Sequence, residues 1–227
     1  MSIPVLTIDG PSGAGKGTVS RLAAKKLGWH YLDSGSIYRS LALAVAKQGV
    51  DLADEAAIVS VAEKMHLEFE CEIDLTVRLN GIDVTAEIPL ESTGAIASTV
   101  AAIPDVRRVL LQKQRDFKQL PGLVADGRDM GTVVFKEAPF KVFLTASVGE
   151  RAMRRYKQLI EKGIDANLIQ ITNEIEERDR RDRERATAPL AMASDALYLD
   201  SSDMTIDSVV EEVLNLVRTG LNERSQS

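Results

Sequence analysis

The chain has 227 residues, 44% hydrophobic and 27% charged, with 28 basic against 34 acidic side chains and a net charge of -6. That composition supports a folded core and excludes wholesale disorder, while the negative balance and the 4% aromatic content argue against a nucleic acid polymer as partner, which needs a basic surface or a stacking platform. Apolar stretches such as Leu41–Ala46 fall far short of the roughly 18 residues of a spanning helix. The first residues lack the basic segment and cleavage site of a signal peptide, and a single cysteine, Cys71, can form no internal disulfide, so no membrane association and a cytoplasmic setting are expected.

In chain order, the apolar run Ile3–Ile8, a glycine-rich turn and the amphipathic segment Lys16–Leu27 read as strand, loop and helix. Trp29–Leu32 is a short second strand, Ser36–Lys47 a helix stopped by Gly49, and Asp54–Lys64 another helix. Between Leu67 and Val84 the period changes to alternation, and Asn80-Gly81 between two such runs signals a hairpin inserted among the helices. Helical patterns follow over Glu91–Ala101 and Asp105–Gln119. Leu123–Ala125, Val142–Leu144 and Ala196–Leu199 fit further buried strands, separated by helices over Val148–Lys162 and Leu168–Arg185 and followed by Ile206–Leu221, with a polar tail after Asn222. This alternation predicts an α/β fold, a parallel sheet with helices on both faces. Cys71 reads as a small buried apolar residue, and His30 and His66 as structural.

Gly10-Pro11-Ser12-Gly13-Ala14-Gly15-Lys16-Gly17-Thr18 lies between the first strand and the first helix. Glycines let backbone N–H groups approach phosphate oxygens, the helix N-terminus adds positive potential, and Lys16 supplies a cation, which makes an anion cradle. The general P-loop pattern puts Ser or Thr directly after the lysine. Here Gly17 intervenes and Thr18 becomes the natural hydroxyl for Mg2+.

Asp33-Ser34-Gly35-Ser36-Ile37-Tyr38-Arg39 follows the second strand, at the carboxyl edge where open α/β sheets bind ligands. Asp33 or Ser34 fits either a helix cap or a ligand contact, whereas Arg39 on the first turns of the helix suits an acceptor phosphate. Asp126-Gly127-Arg128-Asp129 follows the third strand and emerges at the same edge. Arg178–Arg185 holds five arginines; Arg178, Asp182 and Arg185, at i, i+4 and i+7, share one helical face on which Asp182 is placed to orient both guanidinium groups. Arg180 and Arg183 read as surface charge, and Arg151, Arg154 and Arg155 fit either a closing lid or surface charge.

Together these motifs resemble the nucleoside monophosphate kinases, in which the Gly-Lys-Gly-Thr form occurs, and most closely the bacterial cytidylate kinase family, over essentially the whole chain. The resemblance implies a P-loop NTPase-type core of five parallel strands within a single unit spanning 1–227. It also implies an acceptor-binding domain over about 34–120, carrying a small antiparallel insertion at about 67–85, and a short lid over about 150–185. It implies that Lys16 and the Gly10–Thr18 loop hold ATP, with Mg2+ at Thr18. Arg39 and Arg128 match ligands of the acceptor phosphate, Arg178 and Arg185 close over the phosphates, and Tyr38 and Asp182 match sugar contacts beside Ser34. Ser98, Arg107 and Asp129 match the groups that read cytosine, while Arg108 beside Arg107 leaves that position open by one residue.

The expected activity is transfer from ATP to CMP or dCMP by a monomeric enzyme, with Lys16, Arg128, Arg178 and Arg185 acting on the transferred group. The alternatives are a P-loop kinase for another nucleoside monophosphate or small acceptor, or a nucleotide-dependent switch. The last lacks the Asn-Lys-x-Asp sequence with which GTPases read guanine.

Overall fold

The structure, a computed structural model, describes residues 3–71, 75–161 and 163–225. Five parallel strands form the central sheet: β1 (Val5–Asp9), β2 (His30–Asp33), β6 (Leu123–Gly127), β7 (Phe140–Thr145) and β8 (Leu197–Asp200), in the order β2-β6-β1-β7-β8. The helices are α1 (Lys16–Leu27), α2 (Ser34–Lys47), α3 (Glu55–Lys64), α4 (Glu91–Val100), α5 (Pro104–Asp116), α6 (Val148–Glu161), α7 (Leu168–Glu184) and α8 (Ile206–Ser225). The fold is the α/β architecture expected from alternating strands and helices.

Strands buried on both faces need apolar residues at successive positions, and in β1, β2 and β6 each face serves a different core; β8, expected as a further buried strand, lies at the sheet edge and is largely exposed. Leu6, Ile8, Val124, Val142 and Leu144 pack with α1 and α8 through Val19, Ala23, Val210, Val213 and Val217. Val5, Leu32, Leu123 and Ala125 belong to the opposite core, with Ile37 and Leu41 of α2, Ile58 of α3 and Val106 and Leu110 of α5. A smaller cluster, Ala152, Ile171 and Ile175, joins α6 to α7.

The hairpin predicted around Asn80-Gly81 is the tip of a separate antiparallel sheet of β3 (Leu67–Cys71), β4 (Leu75–Leu79) and β5 (Ile82–Asp83). Leu79 pairs with Ile82 across the turn, and Asn80 and Gly81 both have positive φ, 52° and 80°, the backbone a tight two-residue hairpin requires. The side chain of Cys71 lies outside the described residues, so its expected burial is not among the described features. His30 and His66 are exposed, contacting the Leu120 carbonyl at 2.9 Å and Glu68 at 3.1 Å.

Several boundaries differ from the sequence reading. The second strand excludes Trp29 and includes Asp33; α2 begins at Ser34 because Asp33 caps it, accepting from the Ser36 N–H at 3.1 Å. Helix α5 ends at Asp116, where Phe117 and Lys118 donate to Gln114 and Arg115 in a tightened last turn. Helix α8 runs through the expected polar tail to Ser225, since Leu221–Arg224 contains no helix breaker. A π-helical turn at Met130–Val134 has no counterpart in the sequence reading. No helix among the described residues is long and apolar enough to cross a membrane.

Gly10 shows how tightly the core meets the loop. Its φ is +153°, and a Cβ built there would lie 1.9 Å from the Leu144 carbonyl oxygen of β7. Neither the central strand nor the turn can yield, so Gly10→Ala should destabilise the protein by about 2–4 kcal/mol, read as a lower urea midpoint at unchanged m-value.

Candidate functional site

The site lies at the carboxyl ends of the parallel strands, where β1, β2 and β6 release their loops side by side. Register makes this literal: Asp9 pairs with Gly127, and Asp33 with Asp126. From β1 the chain enters the glycine-rich loop, and α1 starts at Lys16 with Gly15 in the N-cap position and no side chain capping the first turn. Those N–H groups are left for an anion. Lys16 is buried and its Nζ donates to the Pro11 carbonyl at 2.7 Å. Burial, then the charge of Arg128, lowers its pKa from 10.5 to about 8.

Thr18 is half-buried in the first turn of α1, next to Gly17, where a Cβ would lie 3.6 Å from the Asp126 carboxylate. Asp126 accepts from the Tyr31 hydroxyl at 3.3 Å. Burial, then the charge of Asp33, raises its pKa well above the carboxylate range. These hard oxygen donors suit Mg2+, but no group of three or more His, Cys, Asp or Glu among the described residues could hold a metal alone. The set fits an ion that arrives on the donor phosphates and keeps waters.

The turn after β6 carries Arg128 and Asp129. Its shape depends on Asp9, whose two carboxylate oxygens accept the Met130 and Gly131 N–H groups at 2.8 and 2.7 Å and so cap the π-helical turn from β1. Burial raises the Asp9 pKa to about 6 in spite of those bonds. Asp129, also buried, accepts from Arg107 at 2.8 Å and lies 3.8 Å from Arg185. The Arg107 guanidinium stands 5.7 Å from the Tyr38 ring centre, within cation–π range. Of the two adjacent arginines it is thus Arg107 that joins the site; Arg108 is exposed and paired with Asp105 at 3.2 Å.

The charge of Asp182 acts on both Arg178 and Arg185, as the helical spacing suggests, but its hydrogen bond goes outside the helix. Its carboxylate accepts from Nε of Arg128, because the turn after β6 presents a cation to α7 that no pattern within the helix reveals. Arg178 makes no hydrogen bond or ion pair among the described contacts. It stays exposed as a residue, yet desolvation by the surrounding protein, then the charge of Arg128, lowers its pKa to about 10. Arg185 donates through Nε to the Ala188 carbonyl, while the terminal nitrogen that faces Asp129 is buried without a hydrogen-bond partner. Arg39 donates to the Ile88 and Leu90 carbonyls at 2.8 and 3.3 Å. Burial lowers the pKa of both Arg39 and Arg185, and the charge of Arg128 contributes to each.

The hydroxyls of two expected residues are taken up by protein groups in this structure. Ser34 is buried and donates to Gln114 of α5 at 2.8 Å, tying α2 to the helix that carries Arg107. Ser98 is exposed and returns its hydroxyl to Gly94 of its own helix at 3.1 Å. Sequence reasoning missed Asp9, whose only signal is a carboxylate closing an apolar strand, and Gln114, which has none. It also left Arg151, Arg154 and Arg155 undivided. In the structure Arg151 is buried, Arg154 is half-buried on the Ser201 carbonyl at 2.7 Å, and Arg155 is exposed.

A family model described as cytidylate kinase matches residues 6–219. The cytidylate kinase of Methylococcus capsulatus is 55% identical over 218 residues, covering 96% of this chain and 98% of its own. That of Aeromonas salmonicida is 55% identical over 225 residues (99% and 98%), and that of Photobacterium profundum 54% over 223 residues (98% and 98%). The chain belongs to the cytidylate kinase family. It is accordingly an enzyme, a nucleotide-binding transferase of the kinase class, and the cations gathered at its strand ends are the groups such chemistry needs.

Two outcomes follow from this geometry. Lys16 keeps its proton below about pH 8 and loses it as pH rises through that value, so kcat/KM for the phosphoryl donor should fall above about pH 8; Lys16→Arg should remove that inflection whatever its residual rate. Arg178→Ala and Arg185→Ala should each lower kcat by about 10²–10³-fold. Arg180, exposed and paired with Glu177 and Glu184, should lose less than about threefold on truncation. Equal losses at all three positions would show that bulk charge, not helical register, is what matters.

Proposed function

We propose that the donor lies on the Gly10–Thr18 loop and cytidylate lies between α2, α4, α5 and the turn after β6, and that in-line transfer between them is promoted by the cations around Arg128. As a member of its family the enzyme phosphorylates CMP or dCMP, giving the diphosphate. The observation that carries the assignment of roles is electrostatic: burial first, and the charge of Arg128 in addition, lowers the pKa of Lys16, Arg39, Arg178 and Arg185, although Arg128 is itself ion-paired with Asp182. Cations crowded in this way are stabilised by phosphate oxygens, and most of all by a transition state that spreads charge over them.

An oxygen of the acceptor phosphate attacks the γ-phosphorus of ATP, the bond to the β-phosphate oxygen breaks, and ADP leaves. The acceptor oxygen is already ionised, so neither a general base nor a covalent enzyme intermediate is required. Lys16 and the loop N–H groups hold the donor phosphates, Arg39 and Arg128 the acceptor phosphate, and Arg178 and Arg185 reach the transferred group. Thr18, with the donor phosphates, would hold Mg2+, which supplies charge neutralisation at the terminal phosphates when bound. Tyr38 and Asp182 contact the sugar beside Ser34. Residues 34–120 act as the acceptor domain and 150–185 as a lid, in a monomeric cytoplasmic enzyme.

Base choice rests on Arg107, Asp129 and Ser98. The Arg107–Asp129 pair offers a donor beside an acceptor, and the edge of cytosine carries an amino donor beside the N3 acceptor. Uracil reverses that order. A buried site built for such pairing can reject the mismatched base by roughly 10⁴. Asp129→Asn can present an amide donor, so its ratio of kcat/KM for CMP over UMP should fall by at least about 10-fold, and Asp129→Ala should narrow the same ratio. An unchanged ratio in both folded variants would remove Asp129 from base recognition.

A further inference from the structure

We propose that Arg151 and Asp179 are positioning residues for phosphoryl transfer, locking helix α7 in rotation against the phosphate loop so that Arg178 and Arg185 reach the reacting phosphates. The inference rests on the reading that these two arginines act on the transferred group.

Arg151, on the first turn of α6, has a side chain 3% exposed, and the Asp179 carboxylate of α7 is 4% exposed. The guanidinium grips that carboxylate with both terminal nitrogens, at 3.1 and 2.5 Å, in the two-pronged geometry that most restricts orientation. The same side chain donates through Nε to the Ala146 carbonyl just past β7, and through a terminal nitrogen to the Ser12 carbonyl inside the phosphate loop, both at 2.9 Å. A Cβ at Gly13 would lie 3.2 Å from that of Arg151, so the loop rests directly on α6. With four hydrogen bonds to protein and its charge matched, Arg151 is not a phosphate ligand. It joins three elements.

The packing explains why a polar lock is needed. The buried face of α7 is the stripe Ile171, Ile175 and Asp179, at i, i+4 and i+8. Among the described residues the two isoleucines meet α6 in a cluster whose only other buried member is Ala152, with Val148, Tyr156, Leu159, Ala166 and Leu168 partly buried against it. Apolar contact is non-directional, so a cluster this small tolerates rotation and sliding of the helix. Buried ionic groups are best attested where they set register. Asp179 supplies that register at the end of the stripe, and it immediately follows Arg178 and stands three residues before Asp182 and six before Arg185. A turn of α7 by one position would carry all three off the cleft, and misplacement by about 1 Å can cost about 10²-fold in rate.

The experiment is a double-mutant cycle on the full-length enzyme, with kcat, KM for CMP and Tm measured for Arg178→Ala, Asp179→Asn and their combination, each assayed well below its Tm. Positioning requires Asp179→Asn to lower kcat by about 10- to 100-fold, a larger effect than on KM for CMP, which rises only as far as Asp182 leaves the sugar. It also requires the combined loss to fall short of the product of the two single losses by at least about threefold, because an arginine already absent cannot be misplaced, while the displacement of Arg185 still costs. Multiplied losses in the double variant would overturn the proposal, since a pair that merely supports folding acts independently of Arg178. A fully active Arg178→Ala would overturn the underlying reading and this inference with it; an impaired Arg178→Ala with multiplied losses strikes the positioning role alone. Should Asp179→Asn fail to fold, Arg151→Lys replaces it in the cycle, as it keeps a cation beside Asp179 while giving up the forked grip, and the same two outcomes decide.

Discussion

The interaction on which the rest of the site depends is repulsion among cations. Burial lowers the pKa of Lys16, Arg39, Arg178 and Arg185, and the charge of Arg128 adds to the effect on each; these residues come from α1, α2, the turn after β6, α7 and its C-terminal end. Like charges in a partly desolvated cleft repel by several kcal/mol at close range. A protein holds such an arrangement only if carboxylates balance part of it and a rigid scaffold resists the remainder. Asp182 pairs with Arg128, Asp129 with Arg107 and Asp179 with Arg151. On the proposed assignment of the site, phosphates match the excess positive charge that is left, and binding then stabilises the geometry that transfer requires.

The scaffold is the edge of a parallel sheet. Pairing of Asp9 with Gly127 and of Asp33 with Asp126 sets the phosphate loop, the start of α2 and the Arg128 turn next to one another without help from any ligand. Asp9 then fastens two of these loops together by accepting the N–H groups of Met130 and Gly131. Close approach reinforces it: a Cβ at Gly131 would lie 2.8 Å from the Thr7 hydroxyl. Groups on the sheet side of the cleft are therefore held by central strands and by two extensive cores.

The α6–α7 pair is held differently. Its apolar cluster is small, and its links to the remainder of the site are polar: Arg151 to Ser12, Arg128 to Asp182 and Arg185 to Asp129. Elements with few buried apolar contacts occupy the less stable end of a protein's range and are the ones that move. A layout with rigid donor loops and a polar-latched helix pair suits an enzyme that must exclude water during transfer and then release two nucleotides.

Much of this was legible in the amino-acid order because local chemistry encodes it. The apolar run before Gly10–Thr18, the Asn80-Gly81 turn and the spacing of Arg178, Asp182 and Arg185 each state a backbone demand or a periodicity within a few residues, and the structure forms the corresponding strand, hairpin and helix. Asp33 was open between cap and ligand, and the fold makes it the cap of α2. What only the tertiary structure decided are the pairings between distant segments: Arg107 rather than Arg108 beside Asp129, Arg128 rather than Arg178 or Arg185 on Asp182, Ser34 on Gln114, and Arg151 on Asp179. An arginine on a helix has the same local signature whether it meets water or a buried carboxylate. The difference arises when β6 inserts between β1 and β2 and α7 folds onto α6, and that order of packing is a property of the whole chain, not of any short stretch of it.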